Sequence, residues 1–308
     1  MPHLPPAQNL SLAVQKNIWE DWENNKANLQ AELSNNLGTD WIIDVNPFGI
    51  YPYHNDGYVK QWLGTCIKDY FQHAVYQFKF LIKRYVNIKD EINDIAHRHI
   101  LTLDVEETNP PRFAYGGCDI ANGKLRILFE ENHLGVNTTN CCNEDNLFRA
   151  LNTASNDKPM TFYVRLGIHN DYEAKIPAVQ RDLTELLNLN EGELTLSPNL
   201  EETFVNMQDA VNRGVKTFRD DWEQVFGATI CRYFAAAFWQ MKYMKFEEDE
   251  RSREGFLAAL TKREIAFRIV DSLQHDSWSE CEFVDGIMYV QTTVEYFGMI
   301  EVHVPQNY

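Results

Sequence analysis

Residues 58–86 constrain the fold most. Apolar and aromatic side chains recur there at helical spacing: Trp62, Tyr70, Phe71, Tyr76, Phe78, Phe80 and Tyr85. The spacing predicts one long helix that is apolar over much of its circumference, and such a helix must be covered on several sides. A chain of 308 residues is long enough to supply that cover.

Other helices are expected over 10–36, 88–99, 144–153, 177–189, most of 199–246, and 253–275. Strands are expected at 41–45, in a hairpin over 112–130 turning at Asn122-Gly123, at 160–168, and in two segments near the end turning at Asp285-Gly286. Strands and helices do not alternate singly. The expected fold class is therefore α+β: a mainly antiparallel sheet, capable of closing into a barrel, with long helices packed outside. No Pro/Ser/Gly-rich linker divides the chain and no internal repeat stands out. One domain, 1–308, is expected, with residues 1–100 helical and residues 101–308 of mixed character.

Charge narrows the function classes. Lys+Arg is 28 against Asp+Glu at 45, a net charge of −17. That disfavours nucleic acid or anionic lipid as a partner. No apolar run reaches the roughly 18 residues of a membrane span, and the first residues lack a signal-peptide pattern. Six cysteines without paired CxxC spacing suit reduced thiols in a cytoplasmic protein. No GxGxxG, GxxxxGK[ST] or GxSxG occurs, so the common dinucleotide, P-loop and nucleophile-elbow sites are unsupported.

The expected strands alternate polar and apolar residues. Lys124 and Arg126 share one face; Tyr163 and Arg165 share another; Tyr289 and Glu295 fall on a third. On an open sheet these are a wet face. Inside a curved or closed sheet they converge. Lys124, Arg126 and Arg165 would then clamp a diphosphate. Tyr163, Tyr289 and Tyr296 would shield an allylic cation. Asp119 or Glu295 would be the general base.

Long outer helices and inner strands bearing Lys, Arg and Tyr resemble the ABBA-type aromatic and peptide prenyltransferases. The stretch Gly117-Cys118-Asp119-Ile120 with Lys124-Leu125-Arg126-Ile127 is similar to a strand pair of the cyanobactin-type members. The resemblance implies transfer of a prenyl group from an allylic diphosphate to a small-molecule or peptide nucleophile, a reaction that admits Mg²⁺ as cofactor.

Two other readings stand beside it. His169-Asn170-Asp171 has the HxD spacing of a non-haem iron site, with His275 or His303 as distal ligand; His54-Asn55-Asp56 has it too. The other is a non-catalytic acidic binding or assembly protein that meets a basic partner. His97-Arg98-His99, the Glu130/His133 pair, Asp220-Asp221 and Glu247–Glu250 read as surface charge. Asn46-Pro47-Phe48-Gly49 reads as a turn.

Overall fold

A computed structural model describes residues 3–54, 57–275 and 277–304, with the backbone alone for His303. The chain forms two compact units, 1–157 and 158–308. This boundary differs from the expected change of character near residue 100.

In the first unit the helical stretch is α1 (Leu12–Asn17), a π-helical turn Ile18–Glu23, and α2 (Asn24–Leu37). The Ser11 hydroxyl accepts from the Val14 N–H and caps its start. Gly38, at φ 71°, ends it in the left-handed region. β1 (Ile42–Asp44) and a short α3 (Pro47–Ile50) follow, then α4 (Leu63–Arg84) and α5 (Ile88–Ile95). The strands β2 (Ile100–Val105), β3 (Gly116–Ala121) and β4 (Lys124–Phe129) precede α6 (Glu144–Thr153). The aromatic-rich helix is α4, with Tyr70, Phe71 and Phe78 fully buried.

The second unit opens with α7 (Phe162–Gly167), a π-helical turn Ile168–Glu173, and α8 (Ala174–Leu186). It continues through β5 (Thr195–Ser197), α9 (Leu200–Asn212), α10 (Trp222–Tyr243) and α11 (Glu250–Ala259). It ends with β6 (Glu264–Ile269), β7 (Ser279–Val284), β8 (Ile287–Thr292) and β9 (Val302–His303).

The expectation of a mainly antiparallel sheet closing into a barrel is overturned. Both sheets are open and mixed, in the orders β1-β2-β4-β3 and β5-β6-β8-β7-β9. β1, β2 and β4 run parallel, as do β5, β6 and β8, and β9 runs parallel to β7; β3–β4 and β7–β8 are antiparallel. The expectation lacked β2 and β6. Each is the strand that receives the chain from a helix, and parallel pairing arises from such crossovers. β6 falls inside the stretch expected as one helix over 253–275; α11 ends at Ala259.

The expected strand 160–168 is helical. Its β-branched and aromatic residues favour a strand locally, but Phe162, Val164 and Ile168 are buried in a helix packed on α10, and packing overrides propensity.

The two units repeat one architecture, although no internal repeat stands out in the sequence. Helix–π turn–helix, strand, helices and three further strands recur with identical order and direction. At a constant spacing, Gly64, Ile67, Tyr70, Phe71, Ala74 and Gln77 of α4 recur as Gly227, Ile230, Tyr233, Phe234, Ala237 and Gln240 of α10. Gly64 and Gly227 fill the same role. A Cβ on Gly64 would stand 2.4 Å from the Asn17 carbonyl, and one on Gly227 would stand 2.2 Å from the Gly167 carbonyl. Each long helix therefore meets the residue just before a π turn backbone to backbone. Both hairpins turn at a residue in the left-handed region followed by glycine, Asn122-Gly123 and Asp285-Gly286, as two-residue hairpins require.

Candidate functional site

Lys124 and Arg126 lie on β4, in register with Ala121 and Asp119 of β3. Arg126 is not available as a diphosphate clamp. Its Nε and one terminal nitrogen donate to the two Asp119 oxygens at 2.8 and 2.7 Å. Arg112 donates to Asp119 at 2.8 Å and to the buried Glu106 at 2.9 Å. Glu106 also accepts from the backbone N–H and hydroxyl of Thr108. Two guanidinium groups and two carboxylates thus fasten the loop after β2 onto the sheet. Burial raises the proton affinity of Asp119, but hydrogen bonds from Arg126 and Arg112 outweigh it and hold the carboxyl below the ordinary range. That makes Asp119 a poor general base.

The predicted residues are divided between the two units. Tyr163 and Arg165 stand on α7, in the other unit from Lys124 and Arg126, and the Arg165 guanidinium donates to the Met160 carbonyl. Tyr289 on β8 lies under the Arg268 guanidinium, 4.2 Å from its ring centroid. Tyr296 lies beyond β8 and accepts from the Tyr233 hydroxyl through its backbone carbonyl.

His169 and Asp171 sit on the π turn and pair with Glu173 at 2.7 Å and Lys175 at 2.6 Å. His303 is on β9, in register with Glu280. Among the described residues no group of three or more His, Cys, Asp and Glu could hold a metal ion. Asn46 caps α3, accepting from the Phe48 N–H at 3.1 Å.

Glu295, among the expected residues, borders a sizeable cavity. A cleft of about 700 Å³ in the second unit lies between the C-terminal half of α9 and the segments that follow β6 and β8. β6 and β8 are parallel neighbours, so the cleft sits outside the carboxyl ends of adjacent parallel strands. Open sheets with helical crossovers place their ligand crevices there.

The charged residues lining it are Asp209 and Arg213 from α9 and its end, Asp271 after β6, and Glu295 after β8. All four are exposed, and none has an ion-pair partner among the described residues. Thr293 also lines the cleft, and its hydroxyl oxygen, hidden from solvent, has no hydrogen-bond partner. The carbonyl-bearing end of α9 adds partial negative charge to the three carboxylates. Arg213 is the single opposing charge in the lining.

Sequence reasoning missed Asp209, Arg213 and Asp271. Asp271 was hidden inside the expected helix 253–275, and the α9 residues carry no local signal.

Beside the cleft, Arg268 donates to Gln291 and Glu282, both at 2.7 Å. Glu280, almost wholly buried, accepts from the Gln274 and His275 N–H groups and from the Gln291 amide. Burial raises the Glu280 proton affinity, and these bonds more than reverse that. The network is internally satisfied and fixes the loop after Asp271.

No protein-family model, curated protein or solved structure matches the chain. No described helix is long and apolar enough to cross a membrane.

Proposed function

We propose that the chain is a non-catalytic acidic binding protein whose second unit seats a cationic group of a basic partner. The cleft carries the reading: Asp209, Asp271 and Glu295 converge at the carboxyl ends of β6 and β8 without ion-pair partners among the described residues. A net charge of −17 favours encounter with such a partner. Exposed ion pairs contribute only about 0.2–1 kcal/mol each and are screened by salt, so the carboxylates must act together and binding is strongest at low salt.

The prenyl-transfer reading assumes a closed sheet with Arg126 turned to a diphosphate; here the sheets are open and Arg126 is paired with Asp119, so the cleft favours the binding reading.

Calorimetric titration with oligolysine tests the reading. Saturable binding at low salt is expected, weakened at least tenfold in a triple variant, Asp209→Asn, Asp271→Asn and Glu295→Gln. Equal affinity of the triple variant, or no binding by the wild type, overturns it. A saturable thermal shift with geranyl diphosphate would instead favour prenyl transfer.

A further inference from the structure

The first unit has its own counterpart of this cleft, and there the place is filled. Glu107 stands two residues beyond the end of β2, as Asp271 stands two residues beyond the end of β6. The backbone agrees. The Glu106 N–H donates to the Phe129 carbonyl at 2.8 Å, and the Val270 N–H donates to the Thr292 carbonyl at 2.9 Å.

At Glu107 lies the chain's own segment His3–Ala7. The His3 Nε2 pairs with Glu107, and its Nδ1 lies 3.9 Å from an Asp104 oxygen. The segment is also held along its backbone. The Leu4 N–H donates to the Tyr53 hydroxyl, and the Ala7 N–H donates to the Phe48 carbonyl, both at 2.9 Å. Phe48 and Tyr53 belong to the connection between β1 and α4. In the second unit the equivalent connection, between β5 and α10, contains α9, which lines the open cleft.

From this correspondence we infer that the cleft of the second unit binds an extended peptide segment, with a cationic side chain placed against Asp271 as His3 is placed against Glu107. This rests on the binding reading above and names the ligand class. The repeated architecture supplies the argument. One copy of the crevice holds an extended, proline-containing strand of chain with a basic residue at its acidic end, and the other copy is open with its acids unpaired. The open copy sets three carboxylates against Arg213. Asp209 and Glu295 join Asp271, so lysine or arginine suits it better than histidine. One acid differs: the position of Asp104 is taken by Arg268, which is held by Gln291 and Glu282 and covers Tyr289. Recognition therefore rests on Asp271 with its neighbours Asp209 and Glu295.

The test uses the full chain and two fluorescently tagged peptides, His-Leu-Pro-Pro-Ala and Lys-Leu-Pro-Pro-Ala, read by polarisation at low salt. The lysine peptide is expected to bind saturably at one site, more tightly than the histidine peptide at pH 8, and at least tenfold more weakly to an Asp271→Asn, Glu295→Gln variant. Equal affinity for wild type and variant overturns the inference.

Oligolysine separates the two levels. If it binds through the cleft while neither peptide binds nor competes, the extended-segment inference fails and the broader reading stands. If nothing binds, both fail. Hydrogen exchange checks the premise in the same protein. The Leu4 and Ala7 amides should be protected, and Glu107→Gln should speed their exchange. Exchange at the rate of unstructured chain in the wild type would remove the template and the inference with it.

Discussion

The backbone N–H of Gly135 donates to the buried hydroxyl of Tyr70 at 2.9 Å. The same bond recurs between Gly298 and Tyr233 at 3.1 Å. In each unit the long central helix thus pins the segment that follows the hairpin, through one phenol hidden from water. Tyr233 does more, because its hydroxyl also donates to the Met299 carbonyl at 3.2 Å.

Removing either phenol oxygen should therefore cost stability. Tyr70→Phe leaves the half-buried Gly135 N–H without its acceptor, a loss of about 1 kcal/mol. Tyr233→Phe orphans a donor and an acceptor and should cost more. Urea unfolding of both variants gives the comparison, and an unchanged midpoint in either would refute the role assigned to its hydroxyl.

The backbone contact at the π turns predicts sharp intolerance of side chains. Gly64→Ala and Gly227→Ala each drive a Cβ into a backbone carbonyl of the first helix of their unit, and overpacking of this kind costs about 1–3 kcal/mol. Gly49→Ala is the control. The atoms nearest its Cβ would be those of Asn46, at ordinary contact distance, so its effect should stay within about 0.5 kcal/mol. Thermal melts of the three variants would show whether they separate in this way.

Asp119 links stability to acid. Its carboxyl is held below the ordinary value in the folded protein, so the unfolded chain takes up the proton first as the pH falls below about 4. The stabilisation is present above that pH and is lost as the pH falls through the folded value. Asp119→Asn should lower stability at pH 7 by about 2 kcal/mol. That is less than a fully buried pair would lose, because Arg112 remains partly solvated. Below about pH 4, denaturation should also depend less on pH in the variant. A wild-type slope retained in the variant would assign the acid sensitivity elsewhere.

The thiols should be silent in the native protein. All six cysteines are free and buried, and burial pushes Cys66 and Cys141 up to about 12. Thiolate is the reactive species, so a disulfide reagent at pH 8 should label none of them rapidly and all six in guanidinium. Fast labelling of the folded protein would contradict the packing around them.

Much of this fold is legible in local sequence. The period and aromatic content of 58–86 point to α4, and Asn122-Gly123 and Asp285-Gly286 mark the two hairpin turns, because helix faces and tight turns depend on neighbours in sequence. A two-residue turn at Asn122-Gly123 even implies that Asp119 faces Arg126. That pairing, rather than a diphosphate, is what engages the arginine.

The tertiary structure decided the rest. Parallel strands find partners far away in sequence, as Ile42 does in Ile100, so no local pattern reveals β2 or β6 as the centre of a mixed sheet. Phe162–Gly167 has strand-like composition and becomes helix because α10 offers it a surface to pack on. The open cleft follows from both. Asp209, Asp271 and Glu295 are brought together only once α9 and the ends of two parallel strands are in place.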